Sequence, residues 1–435
     1  MKTLQKKVNY IDAVIIALII ILAAIPREIN IFVFSDGANR QYGSSISISL
    51  SFIISLLLLY KGKIKNDYKL LKHEPFFQYL LFGLLYGLFG ALIQMNLKFY
   101  FVGAYKYVLY IVLYIFITSN ISFTSIHKGF EIGLKVGCLF QAFVGLLRVF
   151  TGYLIPFISG TSENKRDGML RLVGTFQHPG DCSLYLSFAL MFFLCAFFYT
   201  RKKKTNLLFF IITFITIYYT QARAILIISF ITISIIIFIK FRKKILVKLL
   251  LIPLVIFVLY CFYNSDIYYE LFIRNSFTEM LYARSVHWII GGRIMIDNPV
   301  NFFIGVGLNG IVDYINTNYY DFADLVLTST VLDESFVRGM PIHNSILIVG
   351  CELGIVGLIL YIRFYIKDII IMIKIFFNSK YKFQPLFVSM SLVSFLIYCI
   401  QGWAAHKNFA WIMLVLLFAY VHLLKKELIS EGNIV

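Results

Sequence analysis

Apolar windows of about 20 residues recur along this chain, each long enough to cross the hydrocarbon layer of a bilayer as a helix. No other feature limits the fold as strongly. In lipid no water satisfies backbone amides and carbonyls, so such windows must bond within themselves and are expected to be helical. Composition agrees. Hydrophobic residues make up 60% of the chain and charged residues only 14%, against roughly 25% charged in soluble domains. Mean hydropathy is +0.82. A soluble globule is excluded.

The windows fall at roughly 10–25, 44–60, 76–95, 100–118, 131–150, 183–199, 206–220, 222–239, 246–263, 344–362, 384–401 and 408–424. That predicts about twelve transmembrane helices in one polytopic domain covering residues 1–435. Lys106 interrupts the fourth window, and the seventh and eighth are closely spaced. Met1 to Tyr10 followed by an apolar run has the form of a secretory signal, but the spans behind it favour an uncleaved first helix.

Basic residues set the orientation. With both termini cytoplasmic, the inner segments are Lys-rich, as in Lys61 to Lys72, Arg201 to Lys204 and Lys240 to Lys248. The net charge of +18 then reflects topology and attraction to anionic headgroups, and nucleic acid is not expected as a partner. Outside, the basic residues are mostly Arg: Arg27, Arg40, Arg166, Arg171, Arg223, Arg274, Arg284, Arg293 and Arg338. Lys is a solvated point charge, whereas the Arg fork grips phosphate or carboxylate bidentately. An anionic ligand on the outer side is expected; the alternative is pairing with loop acids such as Asp321, Asp333 and Glu334.

Two outer segments, 151–182 and 264–343, are too long for simple turns. In the second, Ile273 to Met280 and Ser285 to Ile296 show helical apolar spacing and predict two short amphipathic helices over the outer surface. Gly305, Gly307, Asn309 and Gly310 predict a tight turn.

Four stretches resemble the O-antigen ligase and polymerase superfamily of bacterial membrane proteins. Gly174-Thr-Phe-Gln-His-Pro-Gly180 resembles its G-T-F-x-H-P-N segment, and Thr220-Gln-Ala-Arg223 its S-x-S-R-G element. Arg284-Ser-Val-His-Trp288, then Asn298-Pro299 and Gly305-Val-Gly307, is similar to R-x-x-x-W…P…G-x-G. His343-Asn344-Ser-Ile-Leu347 with Glu352-Leu-Gly354-Ile-Val-Gly357 is similar to H-N-x-x-L…E-x-G-x-x-G. The order is the family's. Gly180, Ala222 and Ala224 depart from it, leaving the Arg in place and changing the turn around it. The resemblance implies a GT-C-like glycosyltransferase architecture, an essential role for His343, and an undecaprenyl-diphosphate-linked oligosaccharide donor with an acceptor glycan. A chain-length regulator is a further candidate partner.

The chemistry is consistent with these residues. A lipid diphosphate is a good leaving group once its developing charge is stabilised, and fixed Arg side chains near the membrane surface would do so. Arg223 and Arg284 are the first candidates and Arg171 the third. The acceptor hydroxyl needs a proton acceptor, for which the imidazole of His343 suits. His178, Arg293, Asn344, Gly305 and Gly307 are candidate substrate-binding positions. For His178 a plain structural role beside Pro179 weighs equally, and His287 is expected to face away on its helix. No metal-binding or phosphate-loop spacing appears, so a metal-independent enzyme without a cofactor is expected. The six Cys residues form no C-x-x-C and imply no disulfide framework.

The expected function is therefore polysaccharide polymerisation at the outer face of the bacterial cytoplasmic membrane. A ligase or O-oligosaccharyltransferase with another acceptor is the alternative. The rival of a different class is a lipid-linked oligosaccharide flippase, favoured by the deep charges Lys106 and Glu352.

Overall fold

The computed structural model describes residues 8–25, 28–33, 45–55, 71–156, 158–159, 165–166, 169–242, 277–296, 298–318, 342–402, 404 and 407–431. In chain order the elements are α1 (Tyr10–Ala23), β1 (Glu28–Val33), β2 (Ser45–Ser49), α2 (Leu50–Ser55), α3 (Pro75–Ile93), α4 (Leu97–Asn120) and α5 (Phe123–Thr151). Then come β3 (Lys165–Arg166), β4 (Met169–Leu170), α6 (Pro179–Tyr199), α7 (Lys203–Thr220), α8 (Arg223–Lys240) and α9 (Phe277–Ile296). The last are α10 (Pro299–Phe303), α11 (Ile311–Thr317), α12 (Ser345–Asn378), α13 (Phe383–Gln401) and α14 (Asn408–Ser430).

Among the described residues, seven helices are long and apolar enough to cross a membrane: α3, α4, α5, α6, α8, α12 and α13 up to Ile400. The chain is a mostly helical membrane protein. Three further expected spans coincide with helices outside that set: α1, of 14 residues, α7 and α14. The span expected at 246–263 lies outside the described residues.

Two expectations are corrected. The span placed at 44–60 does not begin as a helix: residues 45–49 form β2, antiparallel to β1, with Glu28 opposite Ser49 and Val33 opposite Ser45. The physical reason is in the sequence. Ser45-Ile-Ser-Ile-Ser49 alternates polar and apolar residues with a period of two, which suits a strand rather than a membrane helix. The two short helices expected around 273–296 are instead the single 20-residue helix α9 from Phe277 onward.

The chain divides into two compact units, residues 1–137, 285–375 and 399–435, and residues 138–284 and 376–398. In the first, α14 is the central helix, with every side chain from Phe409 to Leu424 buried. A helix apolar all round belongs in such an interior. Trp411 stacks on Tyr110 at 5.4 Å and on Tyr79 at 6.2 Å, and Phe418 on Phe76 at 4.5 Å. In the second unit α6 is central, buried from Pro179 to Ala196.

Lower on α14, Lys425 donates to Asp368 Oδ1 at 2.7 Å and to Glu74 Oε2 at 3.0 Å, while His422 Nδ1 lies 3.2 Å from Glu74 Oε1. Burial alone would raise the Glu74 carboxyl, but the hydrogen bond to His422 and the charge of Lys425 outweigh it and hold it at about 2. Its stabilising contribution is therefore present above the ordinary carboxylate range and lost as pH falls toward 2. Lys425→Ala leaves two carboxylates buried without their cation. It is expected to cost about 3–5 kcal/mol, read as a lower thermal midpoint in detergent; an unchanged midpoint would refute the cluster's structural role.

Candidate active site

In the first unit the site is organised around a break in α12. Gly354 has φ 62° and ψ −171° and interrupts the helix. At this break the carbonyls of Cys351 and Glu352 accept from the amides of Val306 and Gly307, at 2.8 and 3.0 Å. Gly305 (φ +83°) and Gly307 (φ +91°) allow that approach. A Cβ on Gly354 would strike the carbonyl of Phe303, and one on Gly307 would lie 2.7 Å from the amide of Ala91. Gly354→Ala is thus expected to cost about 1–3 kcal/mol in backbone strain, beyond the collision itself. Gly292→Ala, where an added Cβ meets nothing within 4 Å, is the matched control in thermal unfolding.

The loop segment is pinned on the α3 side as well. Asn96 Nδ2 donates to the Val306 carbonyl at 2.9 Å, Gln94 Nε2 to Asn301 Oδ1 at 2.9 Å, and Tyr86 to the Phe303 carbonyl at 2.9 Å. The result is a cleft lined by Lys106, Tyr107, Tyr110, Asn309, Glu352 and Trp411, among others. The two deep charges singled out in the sequence, Lys106 and Glu352, share this cleft. Its wall is fixed by its own contacts. Tyr107 and Tyr79 hydroxyls lie 2.8 Å apart, and Tyr110 donates to Asn408 Oδ1 at 2.6 Å.

His343 precedes the first turn of α12. Asn344 caps that helix, its Oδ1 accepting from the amides of Ile346 and Leu347, each at 3.0 Å. Glu352 lies eight residues below Asn344 on the same helix, about 12 Å along the axis. The C-terminal half of α9 lies against this turn: an added Cβ on Gly291 would meet Ile342 at 3.0 Å, and one on Gly350 would meet the Met295 sulfur at 2.7 Å. Small residues let the helices approach closely. His287, one turn before Gly291, is thereby brought to His343, with 3.0 Å between their Nδ1 atoms. The expectation that His287 faces away is corrected. Gly291 four residues later was the signal, since i and i+4 share a helix face. Arg293 is half-buried in the last turn of α9.

The second unit holds the other candidates. Arg223 opens α8 and is buried, 7% exposed. Arg171 donates from Nε to the Thr220 carbonyl at 3.0 Å and from Nη2 to Gln221 at 3.2 Å, anchoring the turn that presents Arg223. His178 is the N-cap of α6, its Nδ1 accepting from the Gly180 amide at 3.1 Å. Gln141 holds the Gly174-Thr175 turn before it, accepting from the Thr175 amide at 3.0 Å and donating to its hydroxyl at 2.7 Å. Arg284 lies in α9, and its side chain is outside the described residues. Among the described residues, no three His, Cys, Asp or Glu side chains are grouped as a metal would need.

Residues 208–362 match the family described as O-antigen ligase. Over this segment the chain is similar to the O-antigen ligase family. The match runs from α7 through the break in α12 and takes in Arg223, Arg284, Arg293, Gly305, Gly307, His343 and Asn344. Arg171 and His178 precede it. No curated protein matches the chain. The match, together with the seven long apolar helices, supports a multi-pass membrane protein of the O-antigen ligase type.

Proposed function

We propose that this protein is a polysaccharide polymerase working at the outer face of the bacterial cytoplasmic membrane. The donor is an oligosaccharide on undecaprenyl diphosphate, and the acceptor is a sugar hydroxyl of a second lipid-linked repeat unit. The acceptor oxygen attacks the anomeric carbon while the bond from that carbon to the diphosphate oxygen breaks. The hydroxyl proton passes to His343 and the lipid diphosphate departs with the bonding electrons. Attack opposite the leaving group inverts the anomeric centre.

Arg223 and Arg284 stabilise the charge that grows on the diphosphate, where a fixed guanidinium acts most strongly. No metal is required for that role. The observation that supports the reading most is the combination of the family match with His343 at the head of α12, above a cleft that carries Lys106, Asn309 and Glu352. Polymerisation needs one kind of substrate on both sides of the reaction, so it is the simplest member of the superfamily's repertoire.

The test uses purified protein in vesicles supplied only with lipid-diphosphate-linked repeat units, with products resolved by size. A ladder of lengthening lipid-linked glycans is expected. Transfer only after a second acceptor is added would make the protein a ligase or an oligosaccharyltransferase. Movement of the substrate across the vesicle without transfer would make it a flippase.

A further inference from the structure

We infer that His287 is a positioning residue that sets the tautomer of His343, so that the lone pair used in the reaction stands on Nε2. The inference rests on the reading of His343 as the proton acceptor. Two hydrogen bonds converge on one atom. His287 Nδ1 lies 3.4 Å from the backbone nitrogen of His343 and 3.0 Å from His343 Nδ1. A backbone amide only donates, so His287 Nδ1 must carry its lone pair there. The hydrogen between the two Nδ1 atoms then belongs to His343.

A neutral imidazole carries one N–H. With that hydrogen on Nδ1, His343 presents an unprotonated Nε2, the form that can accept the proton of an acceptor hydroxyl. The opposite tautomer would place N–H on Nε2 and close the site to base chemistry. When Nε2 takes up the proton, His343 becomes a cation whose Nδ1–H still donates to His287, so the contact persists through the step. The same logic applies where a second group orients a catalytic imidazole through its other nitrogen.

The surroundings hold this geometry. His287 is 2% exposed, and Val286 and Ile290 beside it on α9 are buried. The two imidazole rings are stacked at 24° with centroids 5.0 Å apart. Trp288 Nε1 points to the His343 carbonyl at 3.5 Å, a second tie between α9 and the residue at the head of α12.

The experiment compares His287→Asn, His287→Gln and His287→Leu in the vesicle transfer assay, with the thermal midpoint of each recorded. Asn places an acceptor oxygen close to where Nδ1 stood, whereas Gln places it near the Nε2 position. Asn is expected to stay within a few-fold of the wild-type rate. Gln and Leu are expected to lose about 10- to 100-fold in kcat, with the KM for the lipid-linked donor nearly unchanged. A packing role gives the opposite order, with Leu tolerated in its buried site and Asn damaging. Asn and Gln losing activity equally, or Leu retaining the wild-type rate, overturns the inference. If Leu does not fold, the contrast between Asn and Gln decides alone. His343→Gln run beside them separates the two claims. An active His343→Gln enzyme overturns the base reading itself, whereas an inactive one with an indifferent His287 overturns only the tautomer control.

Discussion

Replacing His343 by Gln is expected to lower kcat for glycan transfer by about 10²- to 10⁴-fold, the range a general base contributes. Donor binding should survive. The residue sits at the head of α12, next to Asn344, whose side-chain oxygen caps the helix through Ile346 and Leu347. That cap does not depend on the imidazole, so Gln at position 343 leaves the first turn intact. A Gln side chain keeps hydrogen-bonding capacity but cannot hold a proton at neutral pH. The prediction therefore separates proton transfer from anchoring. Binding of a lipid diphosphate to the variant, measured by its protection against thermal unfolding, should match the wild type while product formation falls. Retention of wild-type turnover would remove His343 from the chemistry. Loss of binding together with turnover would give it a substrate-holding role instead.

Much of this architecture is written locally. Long apolar windows have few alternatives in lipid, and α3, α4, α5, α6, α8, α12 and α13 lie close to where such windows occur. The misplaced start at residue 44 shows the limit of the rule. Ser45-Ile-Ser-Ile-Ser49 carries a strand period, but its isoleucines also raise the local hydropathy, and a composition window cannot distinguish the two. The strand needed its partner, Glu28–Val33, to be recognised. The joining of two expected helices into α9 has the opposite cause, since Leu281 to Arg284, which lie between the two expected stretches, continue the same helix.

The site was legible as a set of positions and illegible as an arrangement. Gly305 and Gly307 suggested a tight turn, and both have positive φ. Their partner is the carbonyl stretch of α12 beside Gly354, distant in sequence, and no local pattern pairs a loop glycine with a helix break. Lys106 and Glu352 stood out as deep charges, yet only the fold gives them one cleft with Asn309 and Trp411. His287 is 56 residues from His343. Helical spacing alone left it open to face away from His343. What brings it to His343 is the close approach at Gly291 and Gly350, a property of two helices together.

Arg223→Lys and Arg284→Lys are expected each to lower kcat/KM by about 10²- to 10³-fold, the size of effect that follows loss of one preorganised donor to a developing oxyanion. The formal charge is unchanged in both variants. What is lost is the planar fork that binds two phosphate oxygens at once. Arg223 is the more informative case because its surroundings are described. It opens α8, where helix amides add to the attraction for an anion. The turn before it is held through Arg171, whose guanidinium donates to the carbonyls of Thr220 and Gln221. This division of labour gives the two arginines different signatures. Arg171→Lys releases the turn, so it should lower the thermal midpoint and the rate together. Arg223→Lys leaves the turn tied, so the rate should fall with the midpoint nearly unchanged. A lower midpoint for Arg223→Lys with a normal rate per folded molecule would make Arg223 a structural arginine. The diphosphate would then have to be held by other groups.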